Sequence, residues 1–280
     1  MEGEVVLITG GTSGIGKAAA TALAALGAEV VVTGRNKERG EAAVGEIRRR
    51  SGSEKISLMV ADLAVQAEVR GLAEGFKERH ERLDVLVNNA GLIQSKRTET
   101  PDGIELTLAV NHLAPFLLTN LLLDALKGSA PSRIITVSSE ARRGAEIDFD
   151  DLQSRRYRAF PVYGMTKLAN ILFTYELAER LEGTGVVANC VHPGGVNTNF
   201  GNNNRSLGIL VFRALKPFMR TPEQGADTIV YLASSPEAGG MSGRYLTDRR
   251  EVSPAPPRDK ELQNRLWEAS EELTNLKVPS

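Results

Sequence analysis

Thr9-Gly10-Gly11-Thr12-Ser13-Gly14-Ile15-Gly16 closes the short β-branched run Val5–Thr9 and opens an amphipathic stretch over Ile15–Leu26. Glycines at this density permit a tight turn and close approach of the main chain to a ligand. The helix that starts there turns its free amides and the positive end of its dipole toward an anion such as a pyrophosphate. Strand, glycine loop and helix in that order mark a nucleotide-binding βα unit. The overlapping pattern Gly11-x-x-x-x-Gly16-Lys17 is close to a triphosphate loop, but that loop needs Ser or Thr next as a magnesium ligand, and Ala18 cannot coordinate one.

Outward from the loop the same alternation repeats. Strands are expected at Val5–Thr9, Glu29–Thr33, Ile56–Ala61, Val85–Asn88, Arg133–Ser138 and Val186–His192, and helices at about Ile15–Leu26, Lys37–Arg50, Gln66–Glu78, Gly103–Leu126, Pro161–Leu181 and Pro222–Ser234. The strands are continuously apolar, which implies burial on both faces. The pattern predicts a single α/β domain over 1–280, a doubly wound parallel sheet with flanking helices. An insertion at about 198–220, apolar from Leu207 to Leu215, follows the sixth strand and is placed to cover a ligand as a flap. A tail at about 251–280 ends in a helix with the apolar stripe Leu262, Leu266, Ala269 and Leu273.

Composition narrows the function. With 34 Lys+Arg against 35 Asp+Glu among 280 residues, the chain has no positive field for nucleic acid or an anionic membrane. The clusters Arg48 to Arg50, Arg142-Arg143 and Arg249-Arg250 read as solvated faces. One Cys and three scattered His leave neither an internal disulfide nor metal-ligand spacing, so no metal site is expected. The most apolar long stretch, Leu106 to Leu126, is interrupted by Asn111, His112, Pro115, Asn120 and Asp124, so no membrane span is expected. A strand beginning almost at Met1 adds the expectation of no leader or anchor and a cytoplasmic location.

The end of the second strand bears on the choice of dinucleotide. A cofactor without a 2′-phosphate is commonly held by a carboxylate there, but this chain reads Thr33-Gly34-Arg35-Asn36-Lys37 with no carboxylate before Glu38. A guanidinium at Arg35 can bind a 2′-phosphate through paired charge-assisted bonds, so NADP(H) is expected over NAD(H). Further along, Tyr163 and Lys167 stand four apart in a helical segment and share one face. The nearby ammonium is expected to lower the phenol pKa and so fit it for proton exchange with a substrate oxygen.

Taken together, the motifs resemble the short-chain dehydrogenase/reductase family, in particular its retinol-dehydrogenase-like branch. Thr9-Gly10-x-x-x-Gly14-x-Gly16, Asp62-Leu63, Asn88-Asn89-Ala90-Gly91, Asn111, Ser138-Ser139, Tyr163-x-x-x-Lys167 and Pro193-Gly194 occur in family order over nearly the whole chain. Val110-Asn111-His112-Leu113, Lys167-Leu168-Ala169-Asn170 and Ser242-Gly243-Arg244-Tyr245 are similar to the branch. The resemblance implies a Rossmann fold and an oxidoreductase interconverting an alcohol and an aldehyde or ketone. It casts Tyr163 as general acid/base, Lys167 as ribose ligand and modulator of Tyr163, Ser139 as the serine that polarises the reacting oxygen, and Asn111 as support for a proton-relay water. Gly10, Thr12, Ser13, Gly14, Ile15, Gly16, Arg35, Asn36, Asp62, Leu63, Asn89, Ala90, Gly91, Tyr163, Lys167, Pro193, Val196 and Thr198 would line the cofactor.

Thr166 stands where the family often has Ser, and the interval from Ser139 to Tyr163 is longer than in compact members. A homo-oligomer, dimer or tetramer, is implied, with the helices near Gly103–Leu126 and Pro161–Leu181 as interfaces. Retinoid-like, prenyl and long-chain aldehydes all suit an apolar flap. A non-catalytic NADP(H) sensor and an NAD(H)-dependent dehydrogenase are the competing readings on the same fold. Cys190 and Trp267 are expected to be packing residues, and His112 and His192 local packing or hydrogen-bonding residues that the mechanism does not need.

Overall fold

Val5 and Leu7 point to one side of their strand, Val6 and Ile8 to the other, and all four are apolar, so the strand needs cover on both faces. In the computed structural model, which describes residues 1–196, 219–252 and 258–276, this segment is β1 (Val5–Ile8). It lies inside an eight-stranded sheet with β2 (Glu29–Gly34), β3 (Ile56–Val60), β4 (Val85–Asn88), β5 (Ser132–Val137), β6 (Val186–Val191), β7 (Arg244–Thr247) and β8 (Arg250–Glu251). The order is β3-β2-β1-β4-β5-β6-β7-β8, parallel throughout except for the β7–β8 pair. Leu7 is in register with Val31 of β2 and Leu86 of β4. The strand order reverses between β1 and β4, which opens a crevice beyond the carboxyl ends of the strands.

Helices α1 (Gly14–Ala25), α2 (Lys37–Ser51) and α8 (Pro222–Ser234) cover the face carrying Val6, Ile8, Val30 and Val32. Helices α3 (Gln66–Arg79), α5 (Ala114–Leu121) and α7 (Ala159–Arg180) cover the face carrying Val5, Leu7 and Val31. Each fully buried Leu, Ile or Phe on these faces contributes about 1.5–3 kcal/mol, so the sheet core carries most of the fold's stabilisation. This is the doubly wound Rossmann architecture.

Three expectations need correction. The single helix over Gly103–Leu126 is instead α4 (Leu106–Leu108), a π turn (Ala109–Leu113), α5 and α6 (Leu123–Gly128). Glu105 starts it late, because its carboxylate accepts from the amides of Thr107 (2.8 Å) and Leu108 (2.7 Å). Pro115 has no N–H to give to the carbonyl one turn earlier, and the wider turn, closed by the Ala114 amide on Ala109 O, absorbs the change. Second, β7 and β8 are strands that period-two patterning did not announce, because they are only four and two residues long.

Third, the tail helix, α9 (Lys260–Thr274), does not bury the expected stripe alone. Leu262, Ala269 and Leu273 are half-buried, and the covered face is Gln263, Leu266, Trp267, Ser270 and Thr274. Trp267 anchors it, edge-on to Phe116 (ring centroids 5.0 Å) and stacked on Phe173 (5.8 Å), with the Arg180 guanidinium over the indole at 4.1 Å. At its start Lys260 bonds Glu176 and Glu179, both at 2.6 Å, and near its end Gln66 and Arg70 donate to the carbonyls of Leu273 and Thr274. The α5 and α7 surfaces nominated as subunit interfaces therefore lie, at Phe116 and Phe173, under this helix.

The flap expected at about 198–220 lies almost wholly outside the described residues, as does Thr198. Among the described residues no helix is long and apolar enough to cross a membrane, and no group of three metal-ligating side chains occurs.

Candidate active site

The glycine loop leaves β1 with Gly10 (φ 65°) and Gly14 (φ 52°) in the left-handed region, which a side chain would strain. A Cβ at Gly16 would fall 2.4 Å from both Asn89 Nδ2 and Gly10 O, and one at Gly11 would fall 2.6 Å from Val32. The loop is latched to the end of β4. Thr9 Oγ1 accepts from the amides of Asn89 (3.0 Å) and Ala90 (3.1 Å), and Asn89 Nδ2 donates to the carbonyls of Thr9 (2.9 Å) and Gly10 (3.2 Å). Asn89 therefore holds the two loops together, and its own amide and that of Ala90 are already paired. Thr9, the first residue of the loop motif, is the latch, a role that its place in the motif did not announce.

The N-terminus of α1 is left uncapped. Ser13, though at the N-cap, makes no side-chain bond to the helix, and the first turn holds no acidic residue. Asn36 caps α2, Thr221 caps α8 through a capping box and Asp259 caps α9, whereas α3 and α7, like α1, have no side-chain cap. The uncapped amides around Ser13, Gly14, Ile15 and Gly16, in a loop where Gly11 and Gly16 have no room for a Cβ, fit the pyrophosphate of a dinucleotide.

Thr12 packs against Gly34, and Ala61 donates to Gly34 O at 3.1 Å, so the ends of β2 and β3 meet the loop. Arg35 there is exposed, and no ion pair among the described residues engages it. Asn36 spends its Oδ1 on the Arg39 amide (2.8 Å). Asp62 accepts from the Ala64 amide (3.0 Å), and Leu63 packs on the core under α3. Pro193 is buried beyond β6, and Val196, bridged to Arg220, packs toward Ile15 and α8 at Gly225.

Across the crevice α7 presents Tyr163 and Lys167 one turn apart, with Lys167 Nζ 5.7 Å from the Tyr163 ring centroid. Ser139, just past β5, accepts from the Ala141 amide (3.2 Å) and hydrogen-bonds the Tyr163 phenol. Ser138, its neighbour, is buried and donates to Lys167 O at 2.6 Å, which leaves Ser139 as the serine facing the site. Asn111, in the π turn, accepts from the Leu92 amide (2.8 Å) and donates to Leu92 O (2.9 Å) and Thr166 Oγ1 (3.1 Å). Its side chain is thus consumed in fixing the segment after Gly91, where a Cβ would sit 3.3 Å from Asn111 Oδ1 and 3.4 Å from Lys167 Nζ. Thr166 completes the clamp by donating to Tyr163 O at 2.8 Å.

The electrostatics correct one expectation. Tyr163 is not lowered; desolvation pushes it up to about 12, against the opposing pull of the Ser139 hydrogen bond. Lys167 Nζ donates to Val137 O (3.0 Å), and desolvation brings its pKa down to about 8. At neutral pH both groups are protonated, a phenol beside an ammonium. Cys190 is buried and pushed up to about 12, an inert thiol. His112, buried in the π turn, is brought down to about 4 by desolvation and stays neutral, while half-buried His192 is lowered for the same reason.

A nucleotide-binding crevice faced by Ser, Tyr and Lys defines an oxidoreductase of the dehydrogenase type, and the chain belongs to the short chain dehydrogenase family, whose family model matches residues 4–207. It acts on CH–OH groups and their carbonyl counterparts with a nicotinamide dinucleotide. It is 44% identical to human Retinol dehydrogenase 14, over 99% of this chain and 88% of the relative. Among solved structures it is similar to an uncharacterized protein from Mycobacterium paratuberculosis (TM-score 0.79, 31% identity, covering 100% of this chain and 96% of that one). It is also similar to a short chain dehydrogenase from Burkholderia cenocepacia in complex with NADP (TM-score 0.71, 28% identity, 88% and 96%).

Proposed function

We propose that one domain spanning residues 1–280 carries both sites and interconverts apolar alcohols with their aldehydes or ketones, with NADP(H) preferred and Tyr163 as the acid/base. The observation that carries this reading is the convergence of Ser139, Tyr163, Lys167 and Asn111 on the ends of β4 and β5, across from the uncapped glycine loop. A nicotinamide bound in the crevice would supply or accept the hydride.

The chain's own residues do the rest. Ser139 donates to the reacting oxygen and orients it against the phenol. Tyr163, protonated below about 12, gives its proton to that oxygen as negative charge develops in the reductive direction. Lys167, an ammonium below about 8, stabilises the resulting phenolate and presents a donor for a ribose hydroxyl. Asn111 holds the backbone after Gly91 against Lys167.

The exposed guanidinium of Arg35, with no carboxylate before Glu38, supports the NADP(H) preference, as does the NADP bound by the Burkholderia relative. An apolar substrate is supported by the sequence from Leu207 to Leu215 and by relatives named retinol dehydrogenase. A homo-oligomer working in the cytoplasm belongs to the same reading; its interface would use a surface other than the one under α9, which sedimentation and fractionation test.

A panel of aldehydes and ketones assayed with NADPH and with NADH tests substrate and cofactor together. Tyr163→Phe is expected to lower kcat by about 10²- to 10⁴-fold while NADPH binding persists. Unchanged turnover in that variant would refute the role given to Tyr163.

A further inference from the structure

A helix that only packs onto its domain would bury its apolar stripe, yet α9 turns Gln263, Ser270 and Thr274 inward. Ser270 has a specific partner there: its Oγ lies 2.9 Å from His112 Nε2, in the π turn next to Asn111. His112 Nδ1 lies 3.3 Å from Asn170 Oδ1, and Asn170 Nδ2 donates to Val137 O at 3.2 Å. Val137 O is the carbonyl that also accepts from Lys167 Nζ at 3.0 Å. All four side chains are buried. Ser270, His112 and Asn170, from three elements far apart in the chain, thus lead from the C-terminal helix to the acceptor of the candidate lysine.

The proton inventory gives this chain a direction. A carbonyl can only accept, so Asn170 must turn its amide nitrogen to Val137 and its oxygen to His112. Nδ1 must then carry the one proton of a neutral imidazole, leaving Nε2 to accept from the Ser270 hydroxyl. Burial keeps the imidazole neutral. Leu266 O, 2.7 Å from Ser270 Oγ, is the other acceptor open to that hydroxyl. Among the described residues Lys167 Nζ has one hydrogen-bond acceptor, Val137 O, and that carbonyl's second bond comes from Asn170. The ionisable groups facing Lys167 are Tyr163 on its own helix and Cys190 on β6, both protonated at neutral pH. Among the described residues no anion pairs with the ammonium, so its position there depends on the carbonyl.

We propose that Ser270, His112 and Asn170 are positioning residues, through which the C-terminal helix sets the Val137 carbonyl and thereby the Lys167 ammonium against Tyr163. This rests on the role given to Lys167 above. The tail helix is then a working part of the catalytic site as well as cover for the core.

The test uses the full chain, NADPH and an aldehyde turned over in the substrate panel. Ser270→Ala is expected to lower kcat about tenfold with the aldehyde KM unchanged, the cost of a displaced catalytic group. It is also expected to shift the alkaline limb of the pH–rate profile, and Ser270→Thr, which keeps the hydroxyl, restores both. Leu262→Ala, on the same helix without the hydrogen bond, controls for loosened packing and is expected to change melting temperature alone. Unaltered kcat and alkaline limb in Ser270→Ala, whatever its melting temperature, overturn the proposal. If that variant does not fold, His112→Leu, which cuts the relay in the middle, is read in the same two ways. Inactive Tyr163→Phe with fully active Ser270→Ala removes this proposal alone, whereas fully active Tyr163→Phe removes the functional reading beneath it.

Discussion

On the β1–β4 side of the crevice the chain works through glycines and main-chain amides, with Ser13 and Arg35 exposed to solvent. On the β5–α7 side it works through side chains: Asn111, Lys167, Asn170 and His112 are all buried and hydrogen-bonded to one another's neighbours. The two sides fail differently when altered. Where a loop is shaped by the lack of a Cβ, an added methyl acts sterically and locally. Where function depends on buried polar groups, the loss of one partner leaves another unpaired, and the effect spreads along the network.

That contrast is sharpest in the pH response of the buried side. His112 titrates near 6.5 unfolded and at about 4 folded. Between those values the unfolded chain takes up a proton that the folded chain does not, so stability is lost as pH falls from 6.5 toward 4. The expected loss is about 3 kcal/mol, seen as a falling melting temperature that His112→Leu does not share over that window. A flat wild-type profile between pH 6.5 and 4 would erase the electrostatic half of the comparison.

The steric half is tested by Gly16→Ala, expected to cost about 2 kcal/mol from overpacking against Asn89 and Gly10, with NADPH affinity falling more than kcat. Isothermal titration and steady-state kinetics separate the two. A drop in kcat at unchanged affinity would mean that the two sides are not independent.

The smallest effect is expected at the exposed rim. Arg35→Asp should reverse the NADPH-over-NADH ratio of kcat/KM by about tenfold, with melting temperature unchanged because Arg35 has no ion-pair partner among the described residues. Equal ratios before and after the change would take Arg35 out of cofactor selection.

The nucleotide side was largely legible in the chain itself because its determinants are contiguous. A β-branched run, a glycine cluster and an amphipathic stretch occupy one short segment, and the constraint on each is local: turn conformation, strand pleat, helix period. Tyr163 and Lys167 were legible for the same reason, lying one turn apart on a single helix. Thr9, Thr166 and Asn170 stood in the motifs but received no role of their own, because each has a partner many residues away that spacing does not reveal. The break at the π turn was missed although Pro115 was noted, since a proline predicts a disturbance in a helix without predicting how neighbouring turns absorb it.

By itself the sequence determined the layered α/β fold and the placing of the glycine loop and of the Tyr163–Lys167 pair, since these depend on period, residue type and short-range spacing. It overstated burial at β3, where Ser57 and Val60 are exposed because that strand is the edge of the sheet, with a neighbouring strand on one side only. Only the tertiary structure decided the ionisation of the Tyr163–Lys167 pair, because desolvation, which raises Tyr163 and lowers Lys167, comes from what is packed around them. It also decided which face α9 buries. An apolar stripe records a helix's hydrophobic preference, but the hydrogen bond from Ser270 to His112 exists only once two segments 158 residues apart have met.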